Sequence, residues 1–176
     1  MNIFYLRVPT DRIGALIGIN GEDKMKIETT GKVKLDIDSS SGDVEILFDN
    51  DPVLGLKARD VVQAIGRGFC PKHAMKLFNE NIYFILIDIY DFARNKKSHV
   101  RRIKARVIGT EGKTKKFIEE ETGTTLSVYG TTIGVIGTLE MVEIVKEALT
   151  LLLRGSEHST IYRYVTRKVR EAALYG

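Results

Sequence analysis

The sequence predicts an α+β fold in which one unit is built twice. Two glycine loops, Gly18-Ile19-Asn20-Gly21 and Gly109-Thr110-Glu111-Gly112, stand 91 positions apart. Their contexts match as well. Each follows an apolar step (Leu16-Ile17, Val107-Ile108) and precedes a helix-compatible stretch closed by Thr-Gly (Thr30-Gly31, Thr122-Gly123). Each then runs into an alternating strand, Val33/Leu35/Ile37 or Leu126/Val128. A short motif repeated in a repeated context marks an internal repeat. Length agrees, since 176 residues suffice for two small domains, 1–80 and 81–176.

The first unit opens with a strand from Asn2 to Val8, stopped by Pro9, which has no amide hydrogen for a sheet ladder. A short helix from about Arg12 leads into the first glycine loop, and a second runs from Glu22 to Thr30. Strands at Val33–Asp38 and Val44–Phe48 flank the turn Ser39-Ser40-Ser41-Gly42, which reads as a hairpin. Asp51-Pro52 supplies an N-cap and a proline at the first helical position. Leu54, Ala58, Val61, Val62 and Ile65 give the following helix one apolar face, and Gly66 and Gly68 end it.

Residues 70–79 predict an extra helix joining the halves. The second unit then repeats the order: strand 82–89, helix 100–107, glycine loop, helix 113–122, and a hairpin of 125–129 and 132–136 turning at Gly130. Met141, Ile144, Val145, Ala148, Leu149 and Leu152 form the buried stripe of a helix over 139–154. A last helix from about Ser159 carries Ile161, Val165, Val169 and Ala172 on one face. Arg163, Arg167, Lys168 and Arg170 lie off that stripe, either as a solvated surface or as a nucleic-acid contact.

The order β-α-α-β-β-α with a GxxG loop between the helices is the type I KH pattern, here in tandem with a linker helix and a C-terminal helix. In that pattern the loop clamps the backbone of about four nucleotides of single-stranded RNA. Glycine lets phosphate approach the main chain with no Cβ in the way. The unpaired amides and positive end of the next helix face the anion. Ile17, Ile27, Val33 and Leu35 are the expected walls of the base groove in unit one, and Ile108, Phe117, Ile118 and Leu126 those in unit two.

Charge favours the second half. Residues 1–80 carry 11 Lys/Arg against 12 Asp/Glu, and residues 81–176 carry 16 against 11. Arg94, Lys96, Lys97, Arg101, Arg102, Lys104 and Arg106 precede the second loop with no acid between Phe92 and Thr110, and Lys113, Lys115 and Lys116 follow it. Two basic runs bracketing a glycine loop point to phosphate contact. The candidate RNA-binding residues are therefore Gly109, Thr110, Glu111, Gly112, Lys113, Lys115, Lys116, Arg101, Arg102, Lys104 and Arg106. In the first unit they are Gly18, Ile19, Asn20, Gly21 and Lys24.

Other classes of function find little support. Gly112-Lys113-Thr114 mimics the end of a P-loop, but Val107 stands where the first glycine is required. His73, His99 and His158 are scattered, with no serine or cysteine arrangement suggesting a triad. Glu119 and Glu121 read as a solvated helix face. Cys70-Pro71-Lys72-His73 looks like half a zinc knuckle without its second half, and a proline-started helix explains it better. No catalysis, metal or cofactor is expected. One cysteine excludes an internal disulfide, and the run 82–87 is too short to span a bilayer. A soluble cytoplasmic protein with no membrane partner is the expectation.

Residues Arg12 to Glu22, Lys57 to Phe69 and Arg102 to Thr114, with Val128 to Thr132 and Tyr162-Arg163-Tyr164, resemble a known family over nearly the whole chain. It comprises archaeal two-KH proteins related to the eukaryotic Partner-of-Nob and Krr ribosome-assembly factors. The resemblance implies binding to the 3′ region of small-subunit ribosomal RNA during its maturation. It also implies partners: the nuclease trimming that end, a ribosomal RNA methyltransferase or an initiation-factor subunit. Relatives commonly place Lys or Arg inside the glycine loop, where this chain has Ile19-Asn20 and Thr110-Glu111. In the eukaryotic relatives one KH unit is degenerate and serves protein contacts. The open alternative is a KH adaptor or protein-interaction scaffold in another RNA pathway, such as degradation or transcription elongation.

Overall fold

The structure is a computed structural model that describes residues 1–94 and 96–176. The chain divides into two units, Met1–Ile82 and Tyr83–Gly176.

In the first unit β1 (Asn2–Arg7) is followed by a 3-10 turn, α1 (Ile13–Ile17), the first glycine loop and α2 (Glu22–Gly31). Then come β2 (Lys34–Ile37), β3 (Asp43–Phe48) and α3 (Pro52–Gly66). The sheet order is β1-β3-β2, with β3 antiparallel to both neighbours; Phe4 faces Ile46 and Leu35 faces Ile46 from the other side. α3 starts as the sequence requires. The Asp51 carboxylate accepts the Leu54 N–H at 3.0 Å, and Pro52 opens the first turn. Gly55 lets this helix sit on the sheet, because a Cβ there would lie 2.9 Å from the Phe48 ring. Leu16, Ile27, Leu35, Ile46 and Ile65 are the largest fully buried side chains of this half.

The expected single helix over 70–79 is two shorter pieces, α4 (Pro71–Ala74) and a 3-10 turn (Met75–Phe78) whose last carbonyl accepts from Lys57 Nζ at 3.2 Å.

The second unit runs β4 (Ile82–Asp88), α5 (Tyr90–Ala93), α6 (Lys97–Ile108), the second glycine loop, α7 (Lys113–Thr122), β5 (Thr125–Tyr129), β6 (Thr132–Thr138), α8 (Leu139–Leu153) and α9 (His158–Tyr175). Its sheet order, β4-β6-β5, repeats that of the first. Val107, Ile118, Ile133, Val145, Leu149 and Ile161 are buried in one core. Two details depart from expectation. α5 is an extra turn, its start fixed by the Tyr90 N–H on the Asp88 carboxylate at 2.9 Å. On α8 the buried stripe is centred on Val142 and Val145, leaving Met141 and Ile144 half-buried at its margin. Among the described residues no helix is long and apolar enough to cross a membrane, and no group of three metal-ligating side chains gathers.

Candidate nucleic-acid interface

The two glycine loops have the same backbone. Gly18 and Gly109 take φ of 76° and 79°, Asn20 and Glu111 take 54° and 55°, and Gly21 and Gly112 take 75° and 76°. The first glycine cannot be replaced in either loop. A Cβ on Gly18 would stand 2.2 Å from Asp23 Oδ2, and one on Gly109 would stand 2.4 Å from Thr114 Oγ1. Ile19, Asn20, Thr110 and Glu111 are exposed at the tips.

The helices opened by the two loops differ in charge. α2 begins with Glu22 and Asp23, which offset the positive end of the helix from within. α7 begins Lys113-Thr114-Lys115-Lys116, with no acid in its first turn and no side chain capping its amides. Lysines at a helix N-terminus oppose the dipole, so this end gains most from an external anion. Lys113 is exposed and has no partner among the described residues, whereas Lys115 pairs with Glu119 at 3.2 Å and Lys116 with Glu120 at 3.8 Å. Lys24 lies half-buried on α2.

The helical period splits the basic run on α6 between two flanks. Lys97, Arg101 and Lys104 border a hollow of about 370 Å³ with Val100, Ala105 and Ile108. Arg102 and Arg106 lie on the opposite flank. Arg106 is engaged inside the protein: its guanidinium donates to the Leu152 carbonyl at 2.8 Å and the Ser156 carbonyl at 2.5 Å. It closes the turn after α8, a task its place in a basic run did not reveal.

The expected groove walls need correction. Ile27, Val33, Leu35, Ile118 and Leu126 are buried core, Ile27 and Ile118 being on the inward faces of α2 and α7. Ile17, Ile108 and Phe117 remain half-buried at the surface. The edge-strand amides expected to meet base edges are also taken in part. The Leu35 N–H donates to Glu28 Oε1 and the Leu126 N–H to Glu119 Oε1, both at 2.9 Å and at matched positions of the repeat.

Sequence reasoning missed the support behind the second loop. Tyr162 of α9 meets Thr114 Oγ1 at 3.0 Å through its hydroxyl, and its ring lies 4.4 Å from that of Phe117. His158 Nε2 approaches the Arg106 carbonyl at 2.9 Å. Together they pin α9 to both helices that flank the loop. A hollow of about 390 Å³ opens there, lined by Arg102, Gly109, Thr110, Lys113, His158 and Tyr162 among others. The one sequence signal was the apolar stripe of the last helix, which demanded a partner but did not name it.

Comparison with known proteins bears on this geometry. A PNO1 family model, described as a eukaryotic-type KH domain (KH-domain type I), matches residues 83–170. A KH domain-containing protein of Methanocaldococcus jannaschii is 45% identical over 170 residues, covering 95% of this chain and 74% of that protein. The pre-rRNA-processing protein pno1 of Schizosaccharomyces pombe is 30% identical over 113 residues, covering 64% of this chain. The match spans only 47% of the yeast protein. Among solved structures, a chain in the crystal structure of an a/eIF2alpha–aDim2p–rRNA complex from Pyrococcus horikoshii superposes with a TM-score of 0.89. It is 41% identical, and the match covers 97% of this chain and 95% of that one.

Proposed function

This chain belongs to the PNO1/Dim2 family of KH-domain proteins, and from that premise we propose that it binds single-stranded RNA, the 3′ region of small-subunit ribosomal RNA, during pre-rRNA processing. Both units are read as type I KH folds, since the first repeats the element order and sheet order of the second. The second unit is the main RNA site.

One observation carries that assignment. The uncapped, lysine-flanked start of α7 at Gly109–Gly112 contrasts with the start of α2, already neutralised by Glu22 and Asp23. Phosphates would meet the loop amides, Lys113 and the α6 flank of Arg101 and Lys104. Unstacked bases would lie against Ile108 and Ala105. The role is to hold and present RNA without turnover. The first unit then serves a protein partner: the nuclease that trims the rRNA end, an rRNA methyltransferase or an initiation-factor subunit. The rRNA complex containing aDim2p and a/eIF2alpha supports the RNA and the last of these partners.

The test is equilibrium binding of a fluorescent single-stranded fragment of the rRNA 3′ end, beside the same sequence annealed to its complement. Preference for the single strand is expected, with a slope of log K against log salt of roughly −2 to −3 for about four phosphates. Equal affinity for the duplex, or a flat salt dependence, would overturn the reading.

A further inference from the structure

We infer that the second unit holds another phosphate-binding site, in the cavity between α6 and the turn after α8, and that it takes the backbone of the same RNA strand beyond the nucleotides seated at the glycine loop. The inference rests on the proposed reading of that loop as an RNA site.

The cavity has a volume of about 520 Å³, and Arg94, His99, Arg102 and Arg154 line it together with the clamped Arg106. No carboxylate lines it. Among the described residues Arg94, Arg102 and Arg154 have no ion-pair or hydrogen-bond partner, so three guanidinium groups converge on one hollow with nothing to neutralise them. Phe92, Ile103 and Leu153 supply an apolar floor beneath the three exposed cations, whose like charges raise the local potential for an anion. Guanidinium forks fit phosphate oxygens.

Position argues for the same strand. Arg102 and Arg106 also line the hollow beside Gly109, Thr110 and Lys113, so the two hollows adjoin and a strand leaving the loop past Lys113 would meet the cavity next. At 1.5 Å per residue, Arg102 is about 10 Å and His99 about 15 Å along α6 from the loop. This flank is opposite the one bearing Lys97, Arg101 and Lys104. It is also no general property of the repeat: Asp11 stands in the first unit where the second has Arg102.

The experiment compares fluorescein-labelled random-sequence RNA 5-mers and 10-mers on the full chain and on the double variant Arg94→Gln/Arg154→Gln, neither of whose sites touches the loop. The wild type is expected to bind the 10-mer more tightly. The double variant should lose at least fivefold on the 10-mer, stay within twofold on the 5-mer, and show a 10-mer salt slope shallower by about 1. An unchanged 10-mer affinity would overturn the inference alone, and would be the outcome if the cavity instead receives an acidic protein. Equal losses on both lengths would overturn it too, by showing that the change acts through the loop. Should the variant unfold, photo-crosslinking of wild-type protein to 4-thiouridine RNA decides. Crosslinks at 90–102 and 150–156 with the 10-mer only are expected, and their absence is fatal. If the wild type binds neither RNA, the proposed function itself fails.

Discussion

Arg12 and Arg106 close the same turn from positions one helical turn apart. Arg12 donates to the Ile65 and Phe69 carbonyls, both at 2.9 Å; Arg106 donates to the Leu152 and Ser156 carbonyls at 2.8 and 2.5 Å. Those carbonyls are matched across the repeat, and so are the turn glycines Gly68 and Gly155, at φ of 99° and 104°. In the register of the glycine loops, however, Arg12 matches Ile103 and Arg106 matches Ala15. Each unit keeps the guanidinium clamp and supplies it from a different place on the helix before the loop.

This makes Arg106 a test of stability rather than of binding. Hydrogen bonds from a charged group contribute about 1.5–3 kcal/mol each, and removing the donor strands two carbonyls. Arg106→Gln should lower stability by about 2–3 kcal/mol, seen as a clear drop in the thermal midpoint. Arg101→Gln, on the exposed flank, should stay within about 0.5 kcal/mol while weakening RNA binding. Equal melting of the two variants would refute the clamp.

The loops should contribute unequally. Thr110→Asp/Glu111→Asp adds one carboxylate beside the one Glu111 already carries, at a helix whose own first turn holds no acid, and should cost at least tenfold in RNA affinity. Ile19→Asp/Asn20→Asp acts where Glu22 and Asp23 already repel anions, and should cost less. Circular dichroism of both variants checks that the fold survives. A larger loss at the first loop would move the main RNA site to the first unit.

The repeat, the hairpins and most helix bounds were legible because they depend on local chemistry: apolar period, turn glycines, the Asp51 cap. The glycine loops were legible for the same reason. The groove walls were not. Whether Ile118 faces a ligand or the core depends on what covers it, and periodicity reports only that it is apolar. The roles of Arg106 and Tyr162 were hidden because their partners lie 46 to 50 residues away in sequence. A basic run also does not say which of its members a helix will turn inward.

Acid should loosen the first hairpin. The Asp38 carboxylate accepts from Ser40 Oγ at 2.6 Å and from the Ser40 and Ser41 amides at 2.9 and 3.3 Å. These bonds, the serine hydroxyl first, hold its pKa at about 2, below the ordinary 3.8. A depressed carboxylate stabilises the fold above its unfolded pKa and loses that contribution as pH falls through its folded one. Asp38→Ala should therefore melt below the wild type at pH 7, and the gap should narrow as pH falls from about 4 towards 2. A gap independent of pH would assign the effect to packing.

Glu111 is the residue whose role the backbone changes most. A carboxylate starting a helix would be favoured by the dipole, but Glu111 lies two residues before the first residue of α7, in left-handed backbone at φ 55° and ψ 27°. Residues other than glycine and asparagine are disfavoured there, and the first unit places Asn20 at the matching point. Its charge opposes phosphate at a loop that otherwise attracts it, and would favour release of bound RNA if the carboxylate does not serve the helix end instead. Two substitutions separate charge from strain. Glu111→Gln removes only the charge, so RNA binding should tighten several-fold with little change in melting. Glu111→Asn removes both, so binding should tighten equally while stability rises by about 0.5–1 kcal/mol. If Glu111→Gln instead melts lower and binds RNA as the wild type does, the carboxylate serves the helix end and the release role is excluded.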